Sequence, residues 1–186
     1  MKTVKKIASQ ILVFLTFLVL SSMLWGWLFT VVTDTAPENK ITIYIDCQTV
    51  ADTALAARLE EDLPEGVRMV KVHPFSYAFF DSDAMEAADL FIVPKSKADV
   101  YRDSFAVCSI SNENTLTLSN GVTGDKIYDA ASGTGGAAKY ITYINEAGET
   151  EDFYLFYGAA SLHVASNENA VDNAAAEVAR LLFTIE

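Results

Sequence analysis

The sequence predicts an α/β protein: an N-terminal transmembrane helix followed by a single three-layer α/β domain with a mixed sheet. Three observations carry this. Residues 7–32 contain no charged side chain. From Ile41 to Ile110, apolar strand-like runs alternate with helical stretches. The second half instead shows short strand-like runs between polar turns, and it closes on an amphipathic helix.

The uncharged run exceeds the roughly 20 apolar residues that a helix needs to cross a bilayer core. Lys2, Lys5 and Lys6 precede it, on the side that the positive-inside rule assigns to the cytoplasm, and Trp25 and Trp27 lie near its other end, where indoles favour the headgroup layer. A cleaved signal peptide is the rival reading. Its apolar region is typically about 7–15 residues long and leads to a small-residue cleavage site. Here the run is longer, and Ala36 followed by Pro37 makes a poor site. The expected organisation is a cytoplasmic N-terminus over 1–6, a signal-anchor helix over 7–32, a linker over 33–40 and an extracytoplasmic α/β domain over 41–186. The chain is then a single-pass protein of the cell membrane.

All 25 acidic residues follow position 33, against ten basic ones, which gives that part a formal charge of −15. Such a field repels nucleic acid and anionic lipid surfaces. Residues 34–186 suit one domain, and their apolar content sets them apart from a disordered tail.

Ile41–Asp46 alternates and reads as a strand. Thr49, with Asp52 three residues on, marks a helix start, and Val50–Leu63 places Leu55, Leu59 and Leu63 on one face. Pro64 and Gly66 end that helix. Val67–Val72 reads as a second strand. Phe75–Phe80 is aromatic and extended, and Asp83–Ala88 a short acidic helix. Asp89–Pro94 has a continuous apolar centre, as a strand buried on both faces requires. Ser96 caps a helical turn over Lys97–Asp103, and Ser104–Ile110 reads as a strand. This rhythm is that of helices returning a chain to a parallel sheet. Ser111–Gly136 reads as a polar loop with a short strand at Thr115–Leu118. Tyr140–Ile144 and Phe153–Tyr157 read as a hairpin, Ser161–Ala165 as one more strand, and Ala170–Phe183 as a helix with Val171, Ala175, Val178 and Leu182 in a stripe.

In open α/β sheets, ligands meet the loops at the carboxyl ends of strands. That selects Asp46, Cys47 and Gln48 after the first strand and Pro94, Lys95 and Ser96 after the third. Ser76 and Tyr77, in the aromatic segment, complete the candidate ligand-binding set. The bland alternative is ordinary helix capping and aromatic packing. Cys47 and Cys108 form a disulfide in an oxidising compartment or stand as two buried thiols. Two cysteines and two histidines far apart show no metal-ligand spacing, and no cofactor motif is present. His73 and His163 lack a nucleophile-elbow serine nearby. The glycine-rich run Ser132–Gly136 lacks the lysine of a phosphate-binding loop. These absences point to a non-enzymatic protein.

The stretches KITIYID (40–46), LEEDLPEGVRMVKV (59–72) and AADLFIVPKSKADVY (87–101) resemble the start of one lobe of a bacterial extracytoplasmic solute-binding protein of the type 2 periplasmic-binding fold. The resemblance covers under half of the chain. It implies a solute held at the loops after the first and third strands, and a transporter permease or other envelope protein as partner. Those proteins have two hinged lobes, whereas this chain has room for about one. The other expectation is a structural or sensory protein-interaction module of the cell envelope with no small-molecule ligand.

The anchor reading is testable by fractionation. The full-length chain is expected to stay with membranes through an alkaline carbonate wash, with an intact N-terminus by mass spectrometry. A soluble chain that starts beyond residue 32 would identify the segment as a cleaved leader.

Overall fold

The computed structural model describes residues 2–33, 35–74, 88–108 and 114–185, and the side chains of all of these except 2–9 and 30–33. Two compact units result, residues 1–35 and 36–186.

The first unit is one helix, α1 (Lys2–Thr33). Its segment Gln10–Phe29 has a mean hydropathy of 2.1 and is long and apolar enough to cross a membrane. Two hydroxyls turn back onto the helix: Thr16 donates to the Leu12 carbonyl at 2.9 Å and Ser22 to that of Leu18 at 2.7 Å. Each such bond removes a free polar group from the apolar surface.

The second unit is built on a mixed seven-stranded sheet of order β3-β1-β4-β9-β6-β5, with β7 paired to β6. The strands are β1 (Lys40–Ile45), β3 (Met69–Pro74), β4 (Leu90–Pro94), β5 (Thr115–Thr117), β6 (Thr123–Asp129), β7 (Thr134–Gly135) and β9 (Phe153–Tyr157). A separate two-stranded sheet joins β2 (Thr49–Val50) to β8 (Ile141–Thr142). The strands β3, β1 and β4 run parallel, and β9, β6 and β5 add antiparallel neighbours. Among the described residues the unit also holds two helices, α2 (Asp52–Glu60) and α3 (Ala174–Thr184).

Side-chain parity divides the strands between two cores. Ile41, Ile43 and Ile45 of β1, Leu90 and Ile92 of β4, and Phe153, Leu155 and Tyr157 of β9 share one core with Leu55 and Leu59 of α2 and Ala175, Val178 and Leu182 of α3. Tyr44, Phe91, Val93, Tyr154 and Phe156 point to the other face, where Ala98, Tyr101, Phe105, Leu118 and Val122 cover them. Both helices therefore pack on one face of the sheet. Two short 3-10 turns, Ala98–Val100 and Arg102–Ser104, lead the chain across the other. Phe105 stacks on Phe156 with ring centroids 4.3 Å apart. Burying side chains of this size contributes about 1.5–3 kcal/mol each.

The first and third strands fall where their patterns place them, and the helix predicted from Val50 is shorter. Thr49 and Val50 pair with Thr142 and Ile141 instead of starting it, and α2 begins at Asp52 with no side-chain cap bond. The turn after it ends in Gly66 at φ +93°, a left-handed conformation that glycine takes without steric cost. Lys97–Asp103 forms 3-10 turns in place of a helix. From Ser104–Ile110, Phe105 makes only an isolated bridge, to Gly158. The hairpin is also corrected. Phe153–Tyr157 pairs with β4 and β6, while Ile141–Thr142 leaves for β2, and the isolated Ile144–Thr150 bridge ties the first run only to the segment between them. Ser161–Ala165 consists of turns, and the last helix starts at Ala174 with Val171 exposed. The segments 75–80 and 83–87, and positions 109 and 110, lie outside the described residues.

The largest omission is β6, inside the predicted polar loop. Its sequence TGDKIYD carries little apolar signal. It sits there because Gly124 lets the Phe156 ring lie directly over its backbone: a Cβ at 124 would stand 2.4 Å from that ring. Gly158 is tighter still, with a Cβ placed 1.7 Å from the Ala88 carbonyl oxygen. Gly158→Ala is expected to destabilise the unit by about 1–3 kcal/mol, the usual scale of overpacking, and by more than Gly124→Ala. Urea unfolding followed by circular dichroism checks the order, since a backbone carbonyl yields less readily than a ring.

Candidate functional site

Because β1 and β4 are parallel neighbours, their carboxyl ends bring Asp46–Gln48 and Pro94–Ser96 to one edge of the sheet. The Asp46 amide extends the ladder by donating to the Ile92 carbonyl at 2.8 Å. This turns the Asp46 carboxylate inward, where it is 1% exposed. Three groups meet it or its partner. Lys97 Nζ lies 3.3 Å from Asp46 Oδ2 and 2.7 Å from Glu146 Oε2, and the Tyr101 hydroxyl donates to Asp46 Oδ2 at 3.3 Å. Burial lifts the Asp46 carboxyl above its ordinary range, with Lys97 pulling it back in part. Burial pulls the Lys97 ammonium down, but the hydrogen bond to Glu146 and the charges of Asp46 and Glu146 carry it above its ordinary value.

The same edge is closed by the chain itself. Segment 144–152 crosses it: the Gln48 amide donates to the Ile144 carbonyl and the Lys95 amide to that of Asp152. Glu151 is the centre of this closure. Its carboxylate accepts from the Ser96 amide at 2.8 Å, the Ser96 hydroxyl at 2.7 Å and Asn145 Nδ2 at 2.6 Å. Burial acts to raise its pKa, yet these donors together hold it below the ordinary range. Three hydrogen bonds to the ionised form produce that direction. Next to it, Lys126 bridges Asp152 at 2.8 Å and Asp129 at 3.1 Å.

Of the residues selected from sequence, Asp46 and Ser96 hold this network. Pro94 is buried as the last residue of β4, and Gln48 and Lys95 are exposed. Ser96 serves Glu151 and does not cap the turn that follows. Cys47 and Cys108 are free thiols, each half-buried. The Cys47 thiol donates to the Thr49 carbonyl at 3.2 Å, and burial, aided by the Asp46 charge, pushes it up to about 11. Ser76 and Tyr77 lie outside the described residues. Lys97, Asn145, Glu146 and Glu151 were missed. The only sequence signal for the last three is an acid-rich run, NEAGETED, between two strand-like segments.

No protein family, curated protein or solved structure matches this chain.

A second polar cluster occupies the opposite end of the sheet, where Asp89 leads into β4. The Asp89 carboxylate accepts from the Thr42 amide at 2.7 Å and from the Ser161 hydroxyl. Ser161 Oγ in turn accepts from the His163 amide at 3.0 Å. The His163 ring contacts Asp172 Oδ1 through Nδ1 at 2.8 Å and the Pro37 carbonyl through Nε2 at 3.1 Å. A serine, a histidine and two aspartates are thus adjacent, but they are wired unlike a catalytic triad, where the imidazole takes the serine proton. Here the serine proton goes to Asp89, and both ring nitrogens face other acceptors. His73, at the end of β3, places its ring 5.5 Å from Tyr44. A shallow concavity of about 400 Å³ borders the second cluster, lined by Ser161, Ser166, Asn167, Glu168 and Asn169. Among the described residues no group of three or more His, Cys, Asp or Glu side chains is arranged to hold a metal ion.

Removing Lys97 leaves Asp46 buried without its cation. Lys97→Met is expected to cost about 1–3 kcal/mol at pH 7, the price of an unmatched buried polar group. The loss should shrink toward pH 4, because Asp46 then takes up a proton and no longer carries a charge. Urea unfolding at both pH values reads the difference.

Proposed function

We propose that this protein is a non-enzymatic, membrane-anchored module of the cell envelope that acts through protein contact, as an accessory or receptor part beside a transporter or another envelope complex. The carrying observation is that segment 144–152 crosses the carboxyl ends of β1 and β4. Where an open α/β sheet offers loops to a solute, segment 144–152 bonds to Gln48, Lys95 and Ser96. The apolar helix supports the anchor. The extracytoplasmic placement of residues 41–186 rests on the lysines before that helix. We read the turns over Tyr101 and Phe105 as the third layer of a three-layer α/β domain.

A solute-binding function is the second reading, and one observation favours it. Glu151 presents to Ser96 and Asn145 the same chemical group that a carboxylate solute would bring. In that reading segment 144–152 is a plug that a solute displaces, and the likeness to a shortened solute-binding lobe of the periplasmic-binding fold is functional.

Thermal melting of the full-length chain in detergent separates the two. Wild type and Glu151→Gln are melted against amino acids, dicarboxylates, sugars and peptides. The protein-contact reading expects no shift for either chain. A ligand at about 100 times its dissociation constant adds roughly 2.7 kcal/mol, so a rise of several degrees, larger in Glu151→Gln, would replace it with the solute-binding reading.

A further inference from the structure

The cluster around His163 contains a feature that neither reading uses. The ring is 1% exposed, and each of its nitrogens faces an acceptor: Asp172 Oδ1 at 2.8 Å and the Pro37 carbonyl at 3.1 Å. A neutral imidazole carries one N–H and one lone pair. In either neutral tautomer a lone pair would point at a carbonyl or a carboxylate oxygen. Only the imidazolium donates to both. Pro37 opens the short turn Pro37–Asn39, which feeds β1 at Lys40. Asp172 stands just before α3, and its Oδ1 also accepts from the Ala174 amide.

We propose that His163 is a protonation-dependent clasp, which fastens the segment that follows α1 to the lead-in of the C-terminal helix and lets go of Pro37 when it loses its proton. The charged groups around the ring favour the clasped form. Asp172 faces it from the lead-in to α3, and Asp89 acts on it from the lead-in to β4. Glu38 beside Pro37 is exposed, and Lys40 at the head of β1 is half-buried. Burial draws the imidazole downward, but Asp172, the Pro37 carbonyl and Asp89 together raise it above its ordinary 6.5. A histidine raised in the folded state adds stability that is complete below its ordinary value and is lost as pH rises through the folded one. The clasp is therefore closed below pH 6.5 and opens as pH rises through the raised value of the folded state. Pro37 offers only its carbonyl at this contact, so no other donor on that residue replaces the bond.

Hydrogen exchange on the full-length chain in detergent micelles tests this. The chain carries His73→Gln, so that His163 is the one histidine that titrates. Exchange of residues 36–40 is followed by mass spectrometry from pH 5.5 to 8.5 and corrected for the intrinsic pH dependence of exchange. Protection is expected to fall at least fivefold across the range, with a midpoint above 6.5, while β4 and β9 keep theirs. His163→Gln is expected to lack the step, and Asp172→Asn to move its midpoint to lower pH. The His163 ring is read independently by NMR in the His73→Gln chain, so a misfolded His163→Gln leaves the test intact. A ring pKa at or below 6.5, or a ring that titrates while protection of 36–40 stays constant, would overturn the clasp. So would a step that survives in a folded His163→Gln chain.

Discussion

The second unit depends on one constraint: β4 has no face in water. Leu90, Phe91, Ile92 and Val93 are all fully buried, so each face of the sheet needs its own cover at this strand. The helices α2 and α3 supply one cover, and the turns that carry Tyr101 and Phe105 supply the other. The parity of β1 and β9 follows from β4, because a slip of one residue would exchange the two cores along the strand. Register then pairs Leu90 with Tyr157 and Phe91 with Phe156. β4 is also where the sheet changes from parallel to antiparallel. That is why a segment from the second half of the chain comes to lie across the ends of strands from the first.

The two polar clusters are consequences of this arrangement. Both begin at an aspartate that flanks a buried strand, Asp46 after β1 and Asp89 before β4, and both are nearly inaccessible to water. A buried carboxylate has to be paired or hydrogen-bonded. At one edge the pairing comes from Lys97 and Tyr101, and at the other from Ser161 and the Thr42 amide. In this fold the strand ends are therefore tied by side chains from distant loops. Of the polar side chains that a reader of the sequence would assign to a ligand, Asp46 and Ser96 are satisfied by the chain.

Particular elements show where the sequence was informative. Ile41–Ile45 and Leu90–Pro94 were legible because alternation and continuous apolarity record how many faces of a strand are buried. The residues Asp46 and Ser96 were legible as an edge because parallel strands place their carboxyl ends together. The strand β6 was not, since a glycine under a ring and an aspartate inside the core carry no hydrophobic period. The pairing of β8 with β2 was hidden for a related reason: two strand-like runs with a turn between them read as a hairpin unless something else claims one of them. The network partners Glu146 and Glu151 sat in an acid-rich run whose role depends on what lies opposite.

By itself the sequence determined a helix long and apolar enough to span a bilayer and an acidic α/β unit after it. It also set the depth of the strands, because burial is written in the local spacing of apolar residues. The tertiary structure alone decided which carboxylate meets which cation, that segment 144–152 closes the strand ends, and that His163 stands between Pro37 and Asp172. Those pairings join residues as far as 126 positions apart. Local pattern holds no record of them, because they are fixed only when the sheet brings distant loops to the same edge.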